Sequence, residues 1–460
     1  MNVQRFRQLW LIGFVIGLCE FGSAVAVGEG TESPTVYQVG VSAVDVTPSY
    51  PILLNGFAGR KTESEGITQR IWAKALAISS DDSQPVILIS LDSLGIRESM
   101  VNEVAKRLKA KAGVERRQIA VAFSHSHTTP KVSGACDTIY CMPITPEFQE
   151  HIDRYTAELT DALEAAALTA LADRRPSTLH WAVGEVGFAK NRRTPGGPVD
   201  HSLPMLVVKS TAEDAIRAIY VTYACHCVTL GNNKISGDWS GYAQEAIERN
   251  HPGAIGMASI GCGSDANPTS DVTDGNTAVA AEQGDEIADE VERLLQGSLR
   301  PISGPIVASL TNIDLPLNTP PTREELVAIA DGNYNAKFQL EKLDRGEQLL
   351  TALDYPVQVW SFGDSLEMVF LAGEVCVDYA LRLRNELDAS RLWMHGYAND
   401  FCGYIPSERL LKEGGYGGGD EYVYFALPNM LQPGMEGKII DAVLRLTPES
   451  FRADAPSEVK

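Results

Sequence analysis

This 460-residue sequence contains no basic tract longer than an Arg-Arg pair, and 39 Lys and Arg stand against 60 Asp and Glu, a formal net charge of −21. Such a surface repels nucleic-acid phosphates, which argues against a nucleic-acid partner. Internal repeats are absent, and so is any low-complexity linker that would divide the body. Past the N-terminus no apolar run is long enough to cross a bilayer. Cysteine is scarce, at eight residues. Cys225 and Cys227 bracket His226, yet no second pair at zinc-ribbon spacing accompanies them, so they read as small buried core thiols. Cys136 and Cys141 flank a short loop and are spaced to pair in an oxidising compartment.

What is present begins with an export signal. Arg5 and Arg7 precede the apolar run Leu9 to Leu18, and Ala24-Val25-Ala26 satisfies the small-x-small cleavage rule. Residues 1–26 therefore read as a signal peptide cleaved after Ala26, giving a secreted or periplasmic protein without a transmembrane anchor. Cys19 offers a lipoprotein alternative, but Leu18 before it is larger than that processing accepts. A linker covers 27–36, a catalytic domain 37–450 and a flexible tail 451–460. Hydrophobic content of 44% is ample for a large core.

Strand-like and helical stretches alternate through the body, which predicts a mixed α/β (α+β) layered fold: one large domain of mixed sheets flanked by helices. The patterning predicts strands at 37–44, 71–78, 85–92, 118–123, 178–186, 203–209, 218–227, 357–362, 366–371 and 391–397. It predicts helices at 99–112, 146–171, from about 241, 323–331, onward to 353, 375–387 and 437–446.

The chemistry gathers at strand ends. Ser124-His125-Ser126-His127 follows the apolar run Ile119 to Phe123, and alternation along a strand would aim both imidazoles one way. His226 follows the run Ala218 to Tyr223. Glu374 turns through Gly373 out of the run Leu366 to Leu371, and Tyr404 lies beyond Trp393 to Tyr397. Two imidazoles and a carboxylate suit Zn²⁺ with room for a water, whose pKa the metal lowers from 15.7 to about 7. Each residue alone has an ordinary structural role: turn polar groups, a helix-dipole partner, a hydrogen-bonded core histidine.

Taken together, the pieces resemble the catalytic domain of the neutral/alkaline (non-lysosomal) ceramidases. They are Asp45 to Pro48 with Gly56-Phe57, Ile89 to Asp92, Ser124 to His127, Asn191-Arg192 with Asp200, and Ala224-Cys-His226. Ser236 to Gly241, Gly373-Glu374, and Gly403-Tyr404 with Tyr416 in a Gly-rich loop complete the series. The resemblance implies a zinc amidase that splits ceramide, or a related N-acyl lipid, into fatty acid and amine. It implies His125, His226, Glu374 and Tyr404 as zinc ligands, with His127, Arg192 and Tyr416 around the scissile amide and Gly56 near them. His127 is then placed to shuttle a proton, and Arg192 and Tyr416 to steady an oxyanion.

The sequence departs from the family in two ways. Where the family has Gly-Asp-x-Ser-Pro-Asn, this chain reads Ser264-Asp265-Ala266-Asn267-Pro268-Thr269. Asn267 replaces the serine, which excludes a serine nucleophile there and leaves activated water. Asn267 and Asp265 remain candidates for substrate binding. The family also carries a C-terminal immunoglobulin-like β domain, whereas this sequence stops soon after the catalytic body. With the acidic surface, that makes transient membrane contact and a long-chain sphingolipid less expected. A zinc esterase or amidase for another acyl compound is one alternative, and a secreted binding protein with a structural metal is the other.

Overall fold

A computed structural model describes residues 35–80, 84–213 and 215–453. The signal peptide, most of the linker and most of the tail lie outside the described residues. Among the described residues, no helix is long and apolar enough to cross a membrane.

The chain opens with β1 (Val36–Asp45), β2 (Trp72–Ser79) and β3 (Val86–Leu91), then α1 (Glu98–Ala112), β4 (Ile119–Phe123) and α2 (Pro146–Ala172). Next come β5 (Arg175–Glu185), β6 (Ala189–Asn191), β7 (Ser202–Ser210), β8 (Ile216–Tyr223), α3 (Asp238–Asn250), β9 (Ile255–Ile260), β10 (Ala266–Pro268) and α4 (Thr277–Leu295). The second half holds β11 (Arg300–Pro301), β12 (Ile306–Pro316), α5 (Arg323–Ile329), α6 (Tyr334–Asp344), β13 (Ala352–Phe362) and β14 (Leu366–Leu371). It closes with β15 (Glu374–Val375), α7 (Val377–Glu386), β16 (Leu392–His395), β17 (Tyr404–Ile405), α8 (Glu408–Glu413) and α9 (Met435–Leu446).

A nine-stranded mixed sheet runs in the order β4-β3-β2-β1-β5-β7-β8-β9, with β11 added beside β5. Its two ends are parallel pairs, β3 with β4 and β8 with β9, and the strands between them are antiparallel. The sheet curls until these ends meet. Ser90 Oγ on β3 donates to Ala258 O on β9 at 2.6 Å, and Lys74 Nζ on β2 donates to Gly256 O at 2.7 Å. Strong curl is the accumulated right-handed twist of a long sheet.

A second, four-stranded sheet (β12-β13-β14-β16) stacks on one face of the first. Trp181, Tyr220, Trp360, Phe370 and Trp393 fill the layer between them. Helices cover the outer faces: α2 packs on β1 and β2, α3 on β9, and α9 on β12 and β13. The fold is thus mixed α/β in helix–sheet–sheet–helix layers. α2 starts where Thr145 accepts Phe148 N–H as a cap with Pro146 at the first turn, both as the sequence dictates.

Three expectations are corrected. The helix predicted to run to 353 ends at Asp344, where the chain turns through Gly346 in a left-handed backbone (φ 79°), and Ala352 to Phe362 forms β13. β12 was missed; it lies at the edge of that sheet, and its partial burial blurs the alternation. β8 stops at Tyr223, so Cys225, His226 and Cys227 lie in a buried loop rather than on a strand. Cys136 and Cys141 stand as free thiols, the first buried and the second exposed.

Candidate metal centre and catalytic site

The site forms where the curled sheet closes. β4 delivers His125 and His127 from one end, and β8 delivers His226 from the other. His125 and His127 owe their meeting to a turn rather than to strand alternation, since β4 ends at Phe123 and His125 takes a left-handed backbone, φ 54°. The second sheet docks alongside: Phe123 N–H donates to Tyr397 O at 3.0 Å and Asn399 N–H to Val121 O at 2.8 Å. That places the turn after β14, and with it Glu374, beside the histidines. Gly373 is required there by its φ of 67°, and a Cβ would stand 2.6 Å from Gly403 O.

His125 Nδ1 lies 2.8 Å from Leu94 O, His226 Nδ1 lies 3.0 Å from Gly263 O, and His127 Nδ1 lies 3.0 Å from Gly56 O. A carbonyl only accepts, so each Nδ1 carries the proton and each Nε2 presents a lone pair. Those lone pairs converge. His125 Nε2 is 3.2 Å from His127 Nε2, and Glu374 Oε2 is 3.4 Å from His125 Nε2 and 3.2 Å from His226 Nε2. All four side chains are buried. His226 Nε2 and Glu374 Oε2 have no hydrogen-bond donor.

The electrostatics point the same way. Burial, then Arg192, pushes the His226 imidazolium down to about 4, and burial with the two neighbouring imidazoles pushes His127 well below its usual range. Burial works against the charge on Glu374, but His125 and His226 outweigh it and hold the carboxyl well below the usual carboxylate range. Ring nitrogens converging on an ionised carboxylate in a buried site are the kind of donor set a divalent cation requires. The ring nitrogens of His125, His127 and His226 all lie within 4.8 Å of one another, so the residues present fit a metal ion. Sequence reasoning set His127 apart as a proton carrier; the geometry puts its Nε2 in this same group.

A second cluster adjoins the first. Glu374 and Tyr404 are register partners in the β15–β17 pair. Arg192 Nη2 donates to Tyr404 Oη at 3.0 Å, and the hydroxyls of Tyr404 and Tyr416 lie 3.2 Å apart. The Arg192 guanidinium sits 5.0 Å from the Tyr416 ring centre. Tyr416 is 52% exposed, at the mouth of the site.

The remaining candidates fall into place around these groups. Gly56 has φ 94°, and a Cβ there would stand 2.6 Å from His127 Nδ1. Asp265 is buried, with Oδ1 accepting Val377 N–H at 3.0 Å and Oδ2 accepting Asn191 Nδ2 at 3.3 Å, so its oxygens hold the Arg192 loop. Asn267 is half-buried beside Lys190 in the β6–β10 pair, and its Oδ1 is unpartnered.

Three residues were missed. Tyr397 is fully buried at φ 51°, its ring 4.5 Å from that of His125, and its hydroxyl has no partner. Glu421 is fully buried with Oε1 unpartnered, and burial pushes its carboxyl up to about 7. Arg60 is buried against the His127 backbone. Tyr397 and Arg60 lie in short loops and Glu421 in a short 3₁₀ turn, where nothing but burial distinguishes them from solvated residues.

Residues 37–259 match the family described as neutral/alkaline non-lysosomal ceramidase, N-terminal. That segment supports a domain similar to the N-terminal domain of this ceramidase family. The match contains His125, His127, Arg192 and His226; Glu374, Tyr404 and Tyr416 lie beyond it. The chain is 30% identical over 133 residues to neutral ceramidase of Drosophila pseudoobscura pseudoobscura, which is 28% of this chain and 17% of that protein. Over 97 residues it is 31% identical to neutral ceramidase of Drosophila melanogaster and 27% identical to neutral ceramidase 2 of Arabidopsis thaliana. That stretch is 20% of this chain in both cases, and 14% and 13% of the respective relatives. The aligned stretches are thus a small share of those relatives' lengths. Two solved structures share the fold. A ceramidase complexed with C2 superposes with a TM-score of 0.72 at 17% identity, over 92% of this chain and 77% of that one. Neutral ceramidase from Pseudomonas aeruginosa gives 0.70 at 18% identity, with the same coverage of each chain.

Proposed function

We propose that this protein is a secreted zinc-dependent amidohydrolase acting on the N-acyl bond of ceramide or a related N-acyl lipid. Its catalytic domain spans 37–450. One observation carries the reading: Nε2 of His125, His127 and His226 and Oε2 of Glu374 converge in one buried site. His125, His226, Glu374 and Tyr404 would hold Zn²⁺. The metal, when bound, supplies a Lewis acid and acidifies water.

In the reaction, water adds its oxygen to the acyl carbon and the C–N bond breaks. The proton lost by water ends on the departing amine. His127 carries that proton: its Nδ1–H is fixed on Gly56 O, so its Nε2 is free to take and give it. Arg192 and Tyr416 donate to the carbonyl oxygen as it gains charge, a role worth about 3–4 kcal/mol per donor in comparable sites. Gly56 lets the backbone approach His127, and Asp265 holds Arg192 in place. Asn267 Oδ1, unpartnered beside the Arg192 loop, accepts a hydrogen bond from the substrate.

Asn267 also favours a second reading, in which the same centre cleaves an amide or ester of another acyl compound. The test is fatty-acid release from N-acyl sphingosines, short N-acyl amides and matched esters, after chelation and again after zinc is restored. Zinc-dependent release from ceramide supports the first reading. Zinc-dependent cleavage of the other compounds alone replaces the substrate, and silence with zinc tightly held points to a binding protein.

A further inference from the structure

Beside His127 lies a buried cation without a counter-charge. Arg60 is 8% exposed, and among the described residues no carboxylate comes within salt-bridge distance of it. Its guanidinium is spent on main-chain oxygens. Nη1 donates to Asn55 O at 2.6 Å and to His127 O, and Nη2 donates to Asn232 O at 2.8 Å. Nε has no partner. Taking a guanidinium out of water without a carboxylate is costly, so a surface-loop arginine would ordinarily stay solvated.

The three carbonyls belong to three separate loops, and two of them frame one hydrogen bond. Asn55 precedes Gly56, whose oxygen accepts His127 Nδ1–H, and His127 O is the other main-chain partner of the same Nη1. The ring is gripped from the side as well. The guanidinium lies 4.7 Å over the Phe57 ring, and Phe57 meets the His127 ring edge-on at 5.1 Å. One side chain therefore fixes both the acceptor and the backbone of His127.

We infer that Arg60 is a positioning residue that aims His127 Nε2 at the departing amine. This rests on the hydrolase reading above. Burial pushes the guanidinium down to about 10, which leaves it charged at neutral pH. The His125 and His226 rings are anchored elsewhere, on Leu94 O and Gly263 O, so the metal ligands do not depend on Arg60.

The test exploits leaving-group chemistry. An amide needs a proton delivered to nitrogen, whereas a p-nitrophenyl ester of the same acyl chain expels a stable anion unaided. Arg60→Met in the zinc-loaded protein is expected to lower kcat on the N-acyl amide about 30-fold or more, within the range general acid catalysis supplies. The ester should change by less than about threefold, with KM and zinc content held, and Arg60→Lys should recover part of the amide rate. Equal losses on both substrates would mark Arg60 as merely structural and overturn the inference. Should the Met variant fail to fold, the amide-to-ester ratio of Arg60→Lys decides by the same criterion.

Imidazole NMR of ¹⁵N-histidine-labelled protein separates this inference from the hydrolase reading. The His127 ring signals should move in the variant, while those of buried, remote His395 stay. An unmoved His127 overturns the inference whatever the activity, and a parent inactive on every substrate fails the hydrolase reading alone.

Discussion

At the scale of the residue, the site is a problem in where protons are not. Three backbone carbonyls take the Nδ1 protons, and His125 and His226 hold Glu374 ionised, so three Nε2 atoms and one carboxylate oxygen are left facing one another. His125→Ala and His226→Ala are each expected to drop bound zinc from about one equivalent to near none and to abolish hydrolysis, checked by elemental analysis and turnover together. His127→Ala should keep zinc and lose at least about a hundredfold in kcat on the amide; zinc loss there would make His127 a ligand. Gly56→Ala forces a Cβ within 2.6 Å of His127 Nδ1. It should slow the amide reaction about tenfold or more while zinc content holds, because displacement of a catalytic ring by an ångström is that costly. The sequence made His125, His127 and His226 visible because histidines at the ends of apolar runs are few. Glu374 and Tyr404 are weaker candidates at strand ends until the family pattern joins them, since a carboxylate before a helix is common. Arg60 was not visible at all: between Gly59 and Lys61 it looks like any solvated loop cation.

At the scale of the element, strands with every residue buried read cleanly. β4 is an unbroken apolar run and β3 is broken only by Ser90, because both faces are covered. β12 escapes notice for the opposite reason, and the helix expected past Asp344 stops at a turn through Gly346, whose φ is 79°. β14 carries its own titration. Glu367 is fully buried, accepts Thr447 Oγ1–H at 2.9 Å and has Oε2 unpartnered. Burial, against the Thr447 bond, pushes its carboxyl from 4.5 up to about 7. The folded chain thus holds a proton that the unfolded chain has released, so this residue's contribution to stability falls as pH rises from about 4.5 through about 7. Glu367→Gln should flatten that decline, which thermal melts at pH 5 and pH 7.5 would show as a smaller difference in Tm. An unchanged pH slope would refute the assignment.

At the scale of the whole molecule, the ends of one long sheet must be brought together before any chemistry exists. Layering was legible from the alternation of patterns, but closure was not, because Ser90 and Lys74 reach across to β9 from strands far away in sequence. A metal bound between the loops after β4, β8 and β14 would fasten that closure. Chelation should therefore lower Tm, by the equivalent of about 4 kcal/mol if free zinc stands a thousandfold above its Kd. The His226→Ala variant should melt at the same temperature with and without chelator. The spacing of the donors along the chain has a temporal meaning too. A nascent polypeptide that has exposed His125 and His226 to its surroundings still has no centre, since the carboxylate that completes it is translated only at Glu374. On the proposed donor set, loading waits for that glutamate, and an amino-terminal fragment ending before it lacks one of the ligands.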